Sequence, residues 1–182
     1  MTIRPFLPYS DRRLHIPAEP VQAITETVRI IWDDMIDTMD AMPGVGLAAP
    51  QIGIMLRLAV VDASDKRGQA IRMANPEVLH ASTQMRAHDE ASPNLPGVFA
   101  RIERPRAVTV RFLNDRAEIE DRDLVGLWAT SVQHQIDHLD GKLYVDRLNP
   151  KWSRRARKAI RREEWGTDST WLPGVDEDPF GH

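Results

Sequence analysis

The chain has no cysteine among its 182 residues. Disulfides are therefore excluded, and the redox compartment cannot be read from them. Thiolate is also missing from the side chains that could bind a metal or attack a substrate. No apolar run approaches the ~18 residues needed to span a membrane. Met1 to Ser10 has no apolar h-region, so no secretory signal is expected and the cytoplasm is the default location. No internal repeat is visible. The formal net charge is only -3, so the overall balance does not call for nucleic acid.

What is present is ordinary for a globular protein, with 42% hydrophobic and 28% charged residues. The length suggests one domain, placed at residues 1–165, followed by a loosely ordered tail at 166–182 with two prolines, three glycines and several acids. Residues 1–20 are rich in Pro and Arg and suggest an extended arm. Apolar residues at steps of three or four from Val21 to Met39 predict a helix over Val21–Met42, ended by Pro43-Gly44. The segment Gly44 to Gly53 holds three glycines and a proline, and suggests a loop that lets backbone approach something closely. Strands are predicted at Leu56–Val61, Ile71–Leu79 and Ala107–Leu113, with a turn at Asn114-Asp115. A second helix is predicted over Leu124–Leu139 with Gly141 as its C-cap, and a third from about Pro150 to Trp165. The order of helix, strands, helix, helix gives an α+β fold.

The sharpest local signal is Gln133-His134-Gln135-Ile136-Asp137-His138. Histidines at i and i+4 share one helix face, roughly 5–6 Å apart at Cβ, and can share one metal ion. In the metal-hydrolase form of this motif, Glu follows the first histidine and shuttles a proton. Here that position is Gln135, which has nearly the same shape but cannot accept and return a proton at neutral pH. A bare pair of helical histidines is more often polar surface or core. Glu90-Ala91-Ser92-Pro93-Asn94-Leu95-Pro96-Gly97 on its own indicates only a turn or loop.

Taken in order, these three segments resemble the peptide deformylase family, whose motifs are G-x-G-L-A-A-x-Q, E-G-C-L-S and Q-H-E-x-D-H-L-x-G. The first is matched at Gly44, Gly46, Leu47, Ala48, Ala49 and Gln51, and the third everywhere except Gln135. In the second, Glu90 stands, while Ala91, Ser92, Pro93 and Asn94 occupy the places of Gly, Cys, Leu and Ser. Asn75-Pro76-Glu77 and Gly141 to Asp146 also resemble the family, so the likeness covers about residues 5–163.

The resemblance implies a small α+β domain with antiparallel sheets packed around a central helix bearing the metal motif. It implies one divalent ion, zinc or iron(II), with Ser92, His134 and His138 in the ligand positions. A serine hydroxyl is a much weaker ligand than thiolate, so weak or absent metal binding is expected. Gln51 and the backbone N–H of Leu47 match the groups that hold the formyl oxygen, with Gln135 in the place of the proton carrier. Val45, Gly46 and Ala91 fall at substrate-contacting positions. The methionine pocket of the family maps to His88, Leu127, Thr130 and Ser131, three of them polar, and Phe99 falls where some members carry an arginine. A polar lining suits a methionine side chain poorly.

These considerations predict a protein that binds or processes an N-acylated peptide or small molecule rather than efficiently deformylating formyl-Met peptides. One alternative is a working metal-dependent deformylase. Another is a non-catalytic partner of the ribosome or RNA, acting through the seven basic residues between Lys151 and Arg162; a solvated helix with local charge pairs explains that block equally well. Ser92 as a histidine-activated nucleophile has the right residue types but no alignment in sequence. A monomer is expected.

Overall fold

The computed structural model describes residues 2–162. The architecture is α+β. Helix α1 (Glu26–Ala41) is followed by strands β1 (Gly46–Ala48), β2 (Leu58–Val61), β3 (Ile71–Ala81), β4 (Met85–Ser92), β5 (Leu95–Pro105), β6 (Ala107–Leu113) and β7 (Ile119–Val125), then by helices α2 (Gly126–Leu139) and α3 (Pro150–Arg162). Five strands form an antiparallel sheet in the order β1-β2-β3-β6-β7, and β4 and β5 form a separate hairpin.

The two long helices cover opposite faces of the sheet. All four residues of β2 are buried, which follows from cover on both sides. Leu58 and Val60 pack with Trp32, Met35 and Met39 of α1. Ala59 and Val61 join Ala129, Val132 and Leu139 of α2 in a second cluster. A third cluster joins Val98, Ala100 and Ile102 of β5 to Tyr144, Val145 and, from α3, Ala156 and Ile160. Helix α2 thus runs with the five-stranded sheet on one side and the hairpin on another.

Several boundaries differ from the sequence expectations. The first helix begins at Glu26, not Val21. The Asn75 carboxamide grips the Val21 backbone at both N–H and C=O, each at 2.8 Å, which holds that segment extended. Thr25 then caps the helix, accepting from the Val28 N–H. Gly44 to Gly53 is not a plain loop: it contains β1 and a 3-10 turn at Ala49–Ile52. The Glu90–Gly97 stretch is not simply a turn but the tip of the β4–β5 hairpin, closed between Ser92 and Leu95. Leu124 and Val125 belong to β7, and α2 starts at Gly126 with φ of 58°. Gly141 follows α2 with φ of 70°, and a Cβ there would lie 2.6 Å from the Ile16 backbone of the N-terminal arm. The end of the third helix beyond Arg162 and the tail at 166–182 lie outside the described residues.

Candidate active site

Helix α2 presents His134 and His138 one turn apart, with their Nε2 atoms 3.1 Å from each other. His134 Nδ1 lies 2.7 Å from Glu90 Oε1 on β4, and its ring stacks on Tyr144 at 5.7 Å between centroids. His134 donates its Nδ1–H to Glu90, which leaves His134 Nε2 to accept; His138 then donates from Nε2. His138 Nδ1 becomes a bare lone pair, which agrees with its being buried without a partner. Burial above all, with the Arg104 guanidinium adding to it, pushes the His138 imidazole well below its ordinary value, so it stays neutral.

On one side of this pair lies a buried charged network. Arg104 of β5 is 1% exposed. It donates to Glu90 through Nε at 2.6 Å and Nη2 at 2.8 Å, and to Asp137 of α2 through Nη1 at 2.9 Å. Arg147 completes it with a fork onto Asp137 at 2.5 and 2.6 Å. Burial alone would raise the Glu90 carboxyl, but the Arg104 guanidinium and His134 outweigh it and hold the group at about 2. The motif carboxylates Glu90 and Asp137 thus tie the hairpin to α2 and orient His134.

The other side is neutral. Gln51, on the 3-10 turn, accepts from the Ala48 N–H at 2.8 Å through Oε1. Its Nε2 donates to Ser92 Oγ at 3.2 Å and to Asn94 Oδ1 at 2.9 Å. Ser92 gives its own proton to Asn94 Oδ1 at 3.1 Å. Asn94 Nδ2 donates to the carbonyls of Leu7 and Gln51 at 2.7 and 3.0 Å. The three side chains, each 1% exposed, satisfy one another. Asn94 was not anticipated as a site residue, nor were Arg104 and Arg147.

A cavity of about 290 Å³ opens beside the histidines. Its lining brings together Val45, Gly46, Gln51, Ala91, Ser92, His134 and Gln135, and also His88, Phe99, Leu127, Thr130 and Ser131. Leu47 is different: it pairs opposite Val60 in the sheet, and its side chain is wholly buried against α1. His138 is likewise behind the cavity wall rather than in it. Ser131 Oγ donates to the Val45 carbonyl at 3.2 Å. The absence of a side chain at Gly46 leaves room for Ser131 and Gln135: a Cβ would lie 2.4 Å from Ser131 Oγ and 2.6 Å from Gln135 Nε2, so these side chains would have to shift. Gln135 Oε1 is buried with no hydrogen-bond partner.

This architecture, an antiparallel α+β fold closed around a helix with paired histidines, defines the class of proteins to which the chain compares. The family profile described as polypeptide deformylase matches residues 3–154. A peptide deformylase of Afipia carboxidovorans is 40% identical over 151 residues, covering 82% of this chain and 88% of that one. A "peptide deformylase-like" protein of Bradyrhizobium diazoefficiens is 41% identical over 149 residues, covering 82% and 87%. Among solved structures, a peptide deformylase from Legionella pneumophila superposes with a TM-score of 0.81 at 36% identity, over 89% of this chain and 95% of that one. One from Ehrlichia chaffeensis in complex with actinonin gives 0.83 at 27% identity, over 90% and 99%. The chain belongs to the peptide deformylase family.

That family uses a divalent metal, and the donors of this site match it only in part. The imidazole pair alone fits: two zinc–nitrogen bonds of about 2.0–2.1 Å can meet across 3.1 Å. The third position does not. Ser92 is a neutral hydroxyl whose proton and lone pairs are engaged by Asn94 and Gln51. His138 offers no N–H to an acceptor through Nδ1, the contact that usually steadies a ligating imidazole. Among the described residues, no group of three or more His, Cys, Asp or Glu converges to hold an ion. The set does not fit a tightly held divalent metal. Nor does it fit a serine nucleophile, since the Ser92 proton goes to Asn94 Oδ1 and not to an imidazole. No helix among the described residues is long and apolar enough to cross a membrane.

Proposed function

We propose that this protein binds or processes an N-acylated peptide or small molecule in the deformylase cleft and does not efficiently deformylate formyl-Met peptides. One observation carries the reading: Ser92, the would-be third ligand, is locked with Gln51 and Asn94 in a neutral, self-satisfied cluster. Gln135 supports it from the other direction, because a carboxamide cannot cycle a proton near pH 7. The loss of such acid–base help typically costs ~10² to 10⁴ in rate, and weaker activation of water adds to this. The polar groups Thr130, Ser131 and His88 at the cavity wall favour a ligand with hydrogen-bonding groups over a purely apolar side chain. What the protein's own residues supply is a shaped cleft with hydrogen-bonding groups along its walls.

The test combines three measurements on the full chain. Dialysis against zinc, iron(II) or cobalt followed by elemental analysis should leave well under one ion per chain. Formate release from a formyl-Met peptide should stay near background with each metal. Titration with formyl- and acetyl-peptides should show saturable binding. Stoichiometric metal with rapid formate release would instead establish the metal-dependent deformylase.

A second reading has its own observation. Helix α3 turns Ser153, Ala156 and Ile160 inward and leaves Lys151, Arg154, Arg155, Arg157 and Lys158 exposed. Such a basic face supports a ribosome or RNA contact. Neutralising Arg154, Arg155 and Arg157 together should abolish ribosome co-sedimentation; undiminished binding rejects this role.

A further inference from the structure

Two carboxamides line the cleft, and their hydrogen bonding differs completely. Gln51 has no free capacity on its amide nitrogen: one N–H goes to Ser92 Oγ and the other to Asn94 Oδ1, while Oε1 holds the Ala48 N–H. Asn94 is itself anchored by the Leu7 and Gln51 carbonyls, so releasing Gln51 would break a buried cluster. Gln135 lines the same cavity, 4% exposed, with a buried Oε1 that no protein group satisfies. The terminal torsion of a glutamine is broad and roughly two-fold. An uncommitted carboxamide can therefore turn either its acceptor or its donors toward a ligand. A buried polar group without a partner is costly, and a ligand that supplies the partner gains by relieving it.

We propose that Gln135, not Gln51, is the residue through which this cleft reads the amide group of its ligand. This inference rests on the N-acyl-ligand reading above and sharpens it. The matching chemistry is a secondary amide, which offers both an N–H and a C=O. Gly46 serves the same end, since its missing Cβ leaves the space in which the Gln135 carboxamide sits. Gln51 becomes a positioning residue, holding Ser92 and Asn94 in place.

The side-chain amide resonances of the ¹⁵N-labelled, unmodified protein provide the test, with formyl-Met-Ala and acetyl-Met-Ala as probes. The Gln135 NH₂ pair should move with ligand concentration while the Gln51 pair stays put. Gln135→Met, which removes both hydrogen-bonding ends at similar size, should weaken the same probes by about five- to thirty-fold. Its backbone spectrum reports whether it is folded, and the wild-type titration needs no variant at all. If the probes bind and move Gln51 but not Gln135, the proposal is overturned. If they bind and move neither, it is overturned as well, with the ligand held elsewhere in the cleft. If no resonance moves with any probe, the N-acyl-ligand reading falls and takes this inference with it.

Discussion

The two walls that flank the histidine pair are built from opposite materials. The wall of Glu90, Arg104, Asp137 and Arg147 is fully charged, and it joins the hairpin, α2 and the segment before α3. The wall of Gln51, Ser92 and Asn94 is neutral, and it joins the 3-10 turn, the hairpin tip and the N-terminal arm. Both are internally satisfied, and every member but the exposed Arg147 is buried. They differ in what happens when one member is removed. A buried charge left alone has no inexpensive refuge, whereas a buried amide left alone loses one or two hydrogen bonds. The charged wall should therefore dominate stability, and the neutral wall should set which chemistry the cleft allows.

The largest effect tests the first half of that contrast. Arg104→Met leaves the Glu90 carboxylate with the His134 N–H as its one remaining partner in the site and removes one of the two guanidinium partners of Asp137. Breaking a buried pair in this way costs about 3–5 kcal/mol, to be read from urea unfolding at neutral pH. A loss below about 1 kcal/mol would show that water reaches the network and that the two walls are energetically alike.

Acid should reveal the same wall without mutation. The Glu90 carboxyl sits at about 2 in the folded protein against an ordinary 4.5. Its folded-state value is depressed, so its contribution is full above pH 4.5 and is lost as pH falls toward 2. The amount is on the order of 3 kcal/mol. His138 adds a loss of the same sign that begins below its ordinary 6.5, because the unfolded chain takes up that proton first. Unfolding of metal-free protein followed across this range should show a steady decline, and Glu90→Gln should remove the portion below pH 4.5. A flat profile would break the assignment of charge to this wall.

The legibility of the two walls in the sequence was unequal for physical reasons. Helices α1 and α2 were visible because their buried residues recur at three and four. Strand β6 was found with its limits intact, since Val108, Val110 and Phe112 alternate cleanly. The hairpin was missed: the inward set of β5 runs Val98, Ala100, Ile102 and then Arg104, so the alternation ends on a charge. That break was itself a signal, because an arginine in the inward phase demands a buried carboxylate. Strand β7 carries four charges in seven residues and has one exposed face, so its pattern is faint. The cleft residues, and Glu90 with them, were legible only through the family resemblance that the three motifs carry. Asn94 was not, because its role comes from contacts with Leu7 and Gln51, which are 87 and 43 positions away. Local sequence cannot display partners at that separation.

The neutral wall should respond more mildly. Asn94→Ala removes the acceptor shared by Gln51 and Ser92 and the donor to two carbonyls. It should cost about 1–3 kcal/mol, again read by urea unfolding. It should also free the Gln51 amide, seen as faster exchange of its NH₂ protons. Unchanged exchange would mean that Gln51 is held by Ala48 and Ser92 alone.

The smallest effect is the most informative about chemistry. Ser92→Ala removes one hydroxyl whose partners keep each other, since Gln51 Nε2 still reaches Asn94 Oδ1 at 2.9 Å. The cost should be about 1 kcal/mol or less, and zinc retention after dialysis should not change, because this hydroxyl is spent within the protein. Ser92→Cys alters the donor, not the shape: a thiol is a poor hydrogen-bonding partner for Asn94 but, as thiolate, a strong metal ligand beside the two imidazoles. Zinc retention should therefore rise in the cysteine variant and stay level in the alanine variant. A fall in the alanine variant would make the wild-type hydroxyl a working ligand, and the neutral wall would then take part in metal chemistry.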